Sequence, residues 1–363
     1  MMMYPIDLNG EWHFCAMLSE DNTDTPQLAA PALPDAVAWQ LLQVPGHWGA
    51  QGIDHDGVAW YRRTFDMLEN EACSVWWLEC EGVDYHCDVY INGQHAGAHT
   101  GYFGKFRLDV TPYVALGENV IVIRVESPAT APDTPAAQHI IKGILMQPYL
   151  PWRRLFDERL ATRNTGGIWG RVMLVPYDCA APPAAEDWYP PLAEPRAQID
   201  PETLAWMLNE MPFKPQGTIY IPAHFPGTMT RRDFIKDIRM MREANIDTIR
   251  VYGHILPERF YDICDEFGML VWQDFPLYDG YLDTPEVHAA ALAQAEEMVR
   301  QLGGYRSIVA WNVHAEAPWA QPTLATEQNR ALDEAIADRI RALDPGRYVH
   351  LNTQLPVEFR IFA

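Results

Sequence analysis

The chain has 363 residues, enough for two domains with sizeable cores. Hydrophobic residues make up 48% and charged residues 21%, an ordinary globular profile that excludes a disordered or low-complexity protein. The net charge of −22 argues against nucleic acid and against anionic membrane surfaces, so a neutral ligand is the natural partner. The 13 Trp and 16 Tyr suit a protein that stacks flat apolar faces, such as sugar rings, against aromatics, although most of them should be core.

The start, MMMYPIDLNGEWHF, lacks the basic and apolar regions of a secretory signal, and no run approaches the ~18 apolar residues of a membrane span. Cys15, Cys73, Cys80, Cys87, Cys179 and Cys264 show no metal or redox spacing and read as reduced, buried thiols of a cytoplasmic protein. His95 and His99 are four apart in a Gly-containing strand–loop segment rather than on a helix, so no metal and no cofactor is expected.

Residues 1–178 read as all-β. Val75–Cys80 alternates, Cys87–Ile91 runs into the hairpin signal Asn92-Gly93, Phe106–Val110 alternates again, Asn119–Val125 is β-branched, and Val172–Pro176 closes the series. Short strands between Gly, Pro and Asn imply a two-sheet sandwich of jelly-roll type. Residues 179–203, rich in Pro and Ala, read as a semi-rigid linker.

From Leu204 to Ala363 strands alternate with helices. The strands are Gly217–Pro222, Thr248–Tyr252, Gly268–Trp272, Ser307–Trp311 and Arg347–Asn352. The helices are Thr230–Ala244, Pro257–Glu266, Pro285–Leu302 and Thr326–Leu343. This order means parallel βα units. Polar and aromatic residues gather at the strand ends (His224, Arg250, Tyr252, Asp274, His314 and Glu316), which favours a TIM-type barrel with its site at that face. In SIVAWNVHAEAPW, Ser307–Trp319, an apolar strand breaks into a polar cluster holding one carboxylate, Glu316.

Several motifs then resemble glycoside hydrolase family 2, the group of β-galactosidases, β-glucuronidases and β-mannosidases. Leu8–Trp12, Val44–Trp48, Trp60–Phe65, Val89–Gly93 and Gly166–Arg171 resemble its sugar-binding sandwich. Leu208–Phe213 looks like the strand entering its barrel, and Asn245–Tyr252, Phe260–Gly268 and Leu270–Phe275 continue the match. The Val-Trp-Gln-Asp-Phe run is closer to the mannosidase branch.

The resemblance implies retaining hydrolysis of β-glycosides by two carboxylates roughly 5 Å apart. It makes Glu316 the general acid/base, with Trp311 and Trp319 as aromatic walls, and Arg250 the arginine that holds the nucleophile ionised. Trp272, Asp274, Asn312, His314 and Trp319 would line the substrate pocket.

The sequence departs from the pattern in three ways. Ala315 stands where the family has an Asn that contacts the sugar 2-hydroxyl. The immunoglobulin-like domain of about 100 residues has no room before the barrel. The barrel region shows five strands, where a complete barrel takes eight βα units and typically ~250 residues. The family nucleophile follows the seventh strand, so the expectation is an incomplete barrel, little or no hydrolysis by this chain alone, and an edge open to a second copy or a complementing chain. A non-catalytic carbohydrate-binding protein, or one part of a split enzyme, is the alternative.

Overall fold

The computed structural model describes residues 4–17, 26–30, 38–67, 74–128, 139–146, 163–178, 188–278, 280–315, 330–351 and 359–360. The chain forms two compact units, one of residues 1–129 and 157–188, the other of residues 130–156 and 189–363.

The first unit is built from β1 (Ile6–Asp7), β2 (Gly10–Ala16), β3 (Gln40–Val44), β4 (Gly57–Met67), β5 (Ser74–Cys80), β6 (Val83–Asp84), β7 (His86–Ile91), β8 (Gln94–Thr100), β9 (Phe106–Asp109), β10 (Gly117–Ser127), β11 (Gly167–Ile168) and β12 (Val172–Asp178). Two antiparallel sheets, β1-β12-β5-β9 and β3-β2-β4-β10-β7-β8, form a sandwich, with β11 and β6 paired beside them. The alternation seen in the sequence explains the packing. In β7 every second residue is buried, and Cys87, Val89 and Ile91 join Ile121, Ile123 and Val125 of β10 against Trp76, Leu78 and Leu174 of the facing sheet. Asn92 (φ 51°) and Gly93 (φ 81°) make the two-residue turn between β7 and β8 that the sequence announced.

Three of the motif tryptophans of this unit are structural. Trp12 donates to the Leu8 carbonyl at 2.7 Å, Trp48 to His55 at 3.0 Å and Trp169 to Tyr102 at 2.6 Å, and all three rings are buried. Each ring is thus buried with its one polar atom satisfied.

The second unit begins with β13 (Ala197–Ile199), β14 (Trp206–Leu208) and β15 (Met211–Phe213), a three-stranded antiparallel sheet. Two expectations change here. Part of the stretch read as linker is a strand. Leu208–Phe213, read as the strand entering the barrel, instead spans the turn and second strand of a hairpin. Asn209 (φ 50°) and Glu210 (φ 63°) turn it, and a glutamate is not a residue whose chemistry signals left-handed backbone.

Next comes a parallel sheet: β16 (Gly217–Tyr220), β17 (Thr248–Val251), β18 (Leu270–Asp274), β19 (Ile308–Asn312) and β20 (Tyr348–His350), with β21 (Phe359–Arg360) pairing β16. The order is β20-β19-β18-β17-β16-β21, so the sheet carries a sixth strand beyond the five expected. Helices α1 (Arg231–Glu243), α2 (Glu258–Phe267), α3 (Pro285–Leu302) and α4 (Arg330–Leu343) connect the strands. A capping box between Thr230 and Asp233 starts α1, and Gly268 in the left-handed region (φ 69°) ends α2. The architecture is a sandwich followed by a partial (β/α) barrel.

Candidate active site

Partners in a parallel register share a sheet face, and residues two apart share it again. Arg250, Trp272, Ala310 and Tyr348 form one row across β17–β20, and Asp274, Asn312 and His350 form the next on the same face. The opposite face carries Gln273, bonded to Tyr261 of α2 at 2.6 Å, and Trp311, which donates to Asp344 beyond α4 at 2.9 Å. Trp311 therefore packs on the helix side and is not a wall of the site. Strand alternation puts it one residue out of phase with Asn312.

The strand ends converge on Asp274, which is wholly buried. Arg250 Nε lies 3.0 Å from both carboxylate oxygens, and Arg250 Nη2 lies 2.9 Å from Oδ2. Gly253 N–H donates to Oδ2 at 3.1 Å and Asn312 Nδ2 to Oδ1 at 3.0 Å. Burial pushes this carboxyl above its usual range, while Arg250, Gly253 and Asn312 all pull the other way. Every partner is a donor, so the arrangement suits the carboxylate.

Arg250 Nη2 also donates to the Ala315 carbonyl at 3.4 Å, and Ala315 N–H donates to Leu277 at 2.9 Å. The residue preceding Glu316 is thereby fixed to the cluster. Asn312 Nδ2 donates a second bond to the His314 carbonyl at 2.9 Å. His314 is buried with Nδ1 3.1 Å from Asp333 Oδ1, its ring edge-on to Tyr281 at 6.2 Å. Glu316 and Trp319 lie outside the described residues.

Trp272 is fully buried and supports the cluster instead of lining a surface. It stacks on Trp206 of the hairpin (6.2 Å between centroids) and meets His350 edge-on at 5.4 Å. His350 escaped the sequence reading, although the strand-end rule applied to the fifth strand points to it. Burial, aided by the Arg250 charge, pulls its imidazole down to about 4, so it is neutral near pH 7. A cavity of about 810 Å³ opens along β20, and His350 is the cluster residue that borders it.

A second contributor was also hidden from the sequence. Ile144, from the excursion at 139–146, packs with Tyr252 and Ala315 and bonds the Gly253 carbonyl at 3.0 Å. Gly143 (φ +56°) permits this approach, because a Cβ there would stand 1.8 Å from the Gly253 oxygen. No group of metal-ligating side chains occurs among the described residues. No helix among them is long and apolar enough to cross a membrane.

A sandwich preceding a parallel sheet with buried charge at its C-terminal strand ends defines a sandwich-plus-partial-barrel fold. The galactose-binding-like domain of glycosyl hydrolase family 2 matches residues 50–165, and that family's TIM barrel domain matches residues 223–361. This chain carries the sandwich and barrel domains of glycoside hydrolase family 2. It is 22% identical over 395 residues to a Formosa agariphila protein with a provisional beta-glucuronidase name, covering 87% of this chain and 48% of that one. It is 39% identical over 99 residues to beta-mannosidase B of Thermothelomyces thermophilus, 26% of this chain and 12% of that one. The structure of Bifidobacterium dentium beta-glucuronidase, complexed with coumarin-3-O-glucuronide, superposes with a TM-score of 0.73 at 15% identity, covering 96% of this chain and 74% of that one. The chain spans about half the length of the first of these relatives.

Proposed function

We propose that the strand-end face of the parallel sheet is a β-glycoside site of the retaining type, with Glu316 as general acid/base. The observation that carries this reading is the anchoring of Ala315, the residue before Glu316, by Arg250 within the buried Asp274 cluster. Retaining hydrolysis needs an acid to protonate the leaving oxygen and a second carboxylate to attack the anomeric carbon. Asp274 is unsuited to the attack, being wholly buried with both oxygens occupied. Asp333 is equally buried and paired with His314. Asp274 and Asp333 are therefore positioning groups. The Trp272-Gln273-Asp274 run supports mannosides first, with galactosides and glucuronides as comparisons. Cys15, Cys80, Cys87 and Cys264 are free and buried, which supports a reducing, cytoplasmic setting.

Activated aryl β-mannoside, β-galactoside and β-glucuronide test the assignment. Turnover by the wild-type chain should fall at least about a hundredfold in Glu316→Gln, the range of general acid/base catalysis. Turnover indifferent to that change would refute the role. A second reading, carbohydrate binding without hydrolysis, is favoured by Ala315 at the family's Asn position. Calorimetric titration with the same sugars separates the two, since heat without turnover supports binding alone.

A further inference from the structure

Two buried polar atoms of the cluster have no hydrogen-bond partner among the described residues: Asn312 Oδ1 and His350 Nε2. The orientation of the Asn312 amide is fixed. Its Nδ2 faces Asp274 Oδ1 and the His314 carbonyl, both acceptors, so a flipped amide would set oxygen against oxygen. Asn312 Oδ1 is thus an acceptor without a donor. The His350 ring is held edge-on to Trp272, with Nδ1 3.2 Å from the Tyr348 hydroxyl. In the tautomer in which the phenol donates to Nδ1, the neutral ring carries its proton on Nε2, which is then a donor without an acceptor. Asn312 and His350 are register partners on adjacent strands and share a face with Arg250 and Asp274. Buried polar atoms are rarely left unpaired, and these two belong to residues paired in register on adjacent strands.

We infer that Asn312 and His350 form a subsite for one ligand hydroxyl, which donates to Asn312 Oδ1 and accepts from His350 Nε2. A hydroxyl is the small neutral group that does both at one oxygen, and a carboxylate would meet the Asn312 oxygen unfavourably. The subsite rests on the carbohydrate reading above and deepens it. It places hydroxyl selection on β19 and β20, the strands on either side of Glu316 in the chain, and gives Asn312 and His350 a specificity role. A site built to bond a hydroxyl rejects the analogue lacking it, because its own buried groups then stay unpaired.

The test uses calorimetric titration of the full chain with methyl β-mannoside and its monodeoxy analogues. Wild-type protein should bind one deoxy analogue at least tenfold more weakly than the parent. His350→Phe, which keeps the ring shape and removes Nε2, should bind parent and that analogue alike. It should melt no lower than wild type, since an unpaired polar atom is removed. Tyr348→Phe, which releases the His350 tautomer, should show an intermediate loss and guards against misfolding of the first variant. Wild type that binds the parent but loses nothing with any deoxy analogue overturns the subsite while leaving the carbohydrate reading intact. So does His350→Phe that keeps wild-type selectivity or melts lower without losing affinity, the mark of a structural water only. Wild type that binds methyl β-mannoside, β-galactoside and β-glucuronide not at all overturns both.

Discussion

Replacing Arg250 with Met tests the physical core of the site. Met keeps much of the volume but removes the charge that faces Asp274 through Nε and Nη2, at 2.9–3.0 Å. The carboxylate, wholly buried, would then keep only the Gly253 N–H and the Asn312 amide. Breaking one partner of a buried pair costs about 3–5 kcal/mol, because the other charge stays uncompensated. That is a large share of a typical stability of about 5–15 kcal/mol. Asp274→Leu should cost a similar amount by stranding Arg250, and the double variant should be more stable than either single one. Burial already raises the Asp274 carboxyl above its unfolded value, and losing Arg250 raises it further. The folded Arg250→Met protein then takes up a proton before the unfolded chain does, so its deficit should shrink as the pH falls. Urea unfolding followed by tryptophan fluorescence, with Trp206 and Trp272 packed beneath the cluster, reads each variant. A loss below about 1 kcal/mol, or a double variant worse than the sum of the singles, would refute the account of Asp274 as a carboxylate held by Arg250.

Acid should destabilise the second unit through His254 and His350, both buried and drawn from 6.5 down to about 4. Lowered histidines contribute fully above pH 6.5 and lose that contribution as the pH falls through about 4, on the order of 3 kcal/mol each. Melting between pH 7.5 and 4 should show this decline, partly offset by the raised Asp274, and His254→Leu should flatten it; an unchanged slope would contradict it. Gly143→Ala should dislodge the Ile144 segment, since the added methyl would collide with the Gly253 carbonyl in a left-handed backbone position. A loss of about 2 kcal/mol or more and faster proteolysis near residue 143 are expected, and wild-type stability would show that the approach relaxes.

The strand–helix alternation after Gly217 was legible because each period follows from local rules. Pro285–Leu302 begins behind a Thr284 cap and runs to Gly303, and Gly268 ends α2 in the left-handed region. The sandwich strands were legible for the same reason, since alternation and Asn92-Gly93 are local signals. The hairpin at Asn209-Glu210 was not, because its left-handed residues are imposed by the pairing of β14 with β15 and by Trp206 packing on Trp272.

The candidate site divides along the same line. By itself the sequence determined the two-part architecture, the family resemblance, and the gathering of Arg250, Asp274, Asn312 and His314 at strand ends, since strand order and alternation are written in it. Only the tertiary structure decided what each group does there. Strand phase sends Trp311 to the helix side, donors from Arg250, Gly253 and Asn312 commit Asp274, and the register of β19 with β20 pairs His350 with Asn312. The Ile144 excursion reaches Ala315 from more than 160 residues away in the chain. Such placements depend on long-range pairing and burial, which set the partners of a charge and have no local signature.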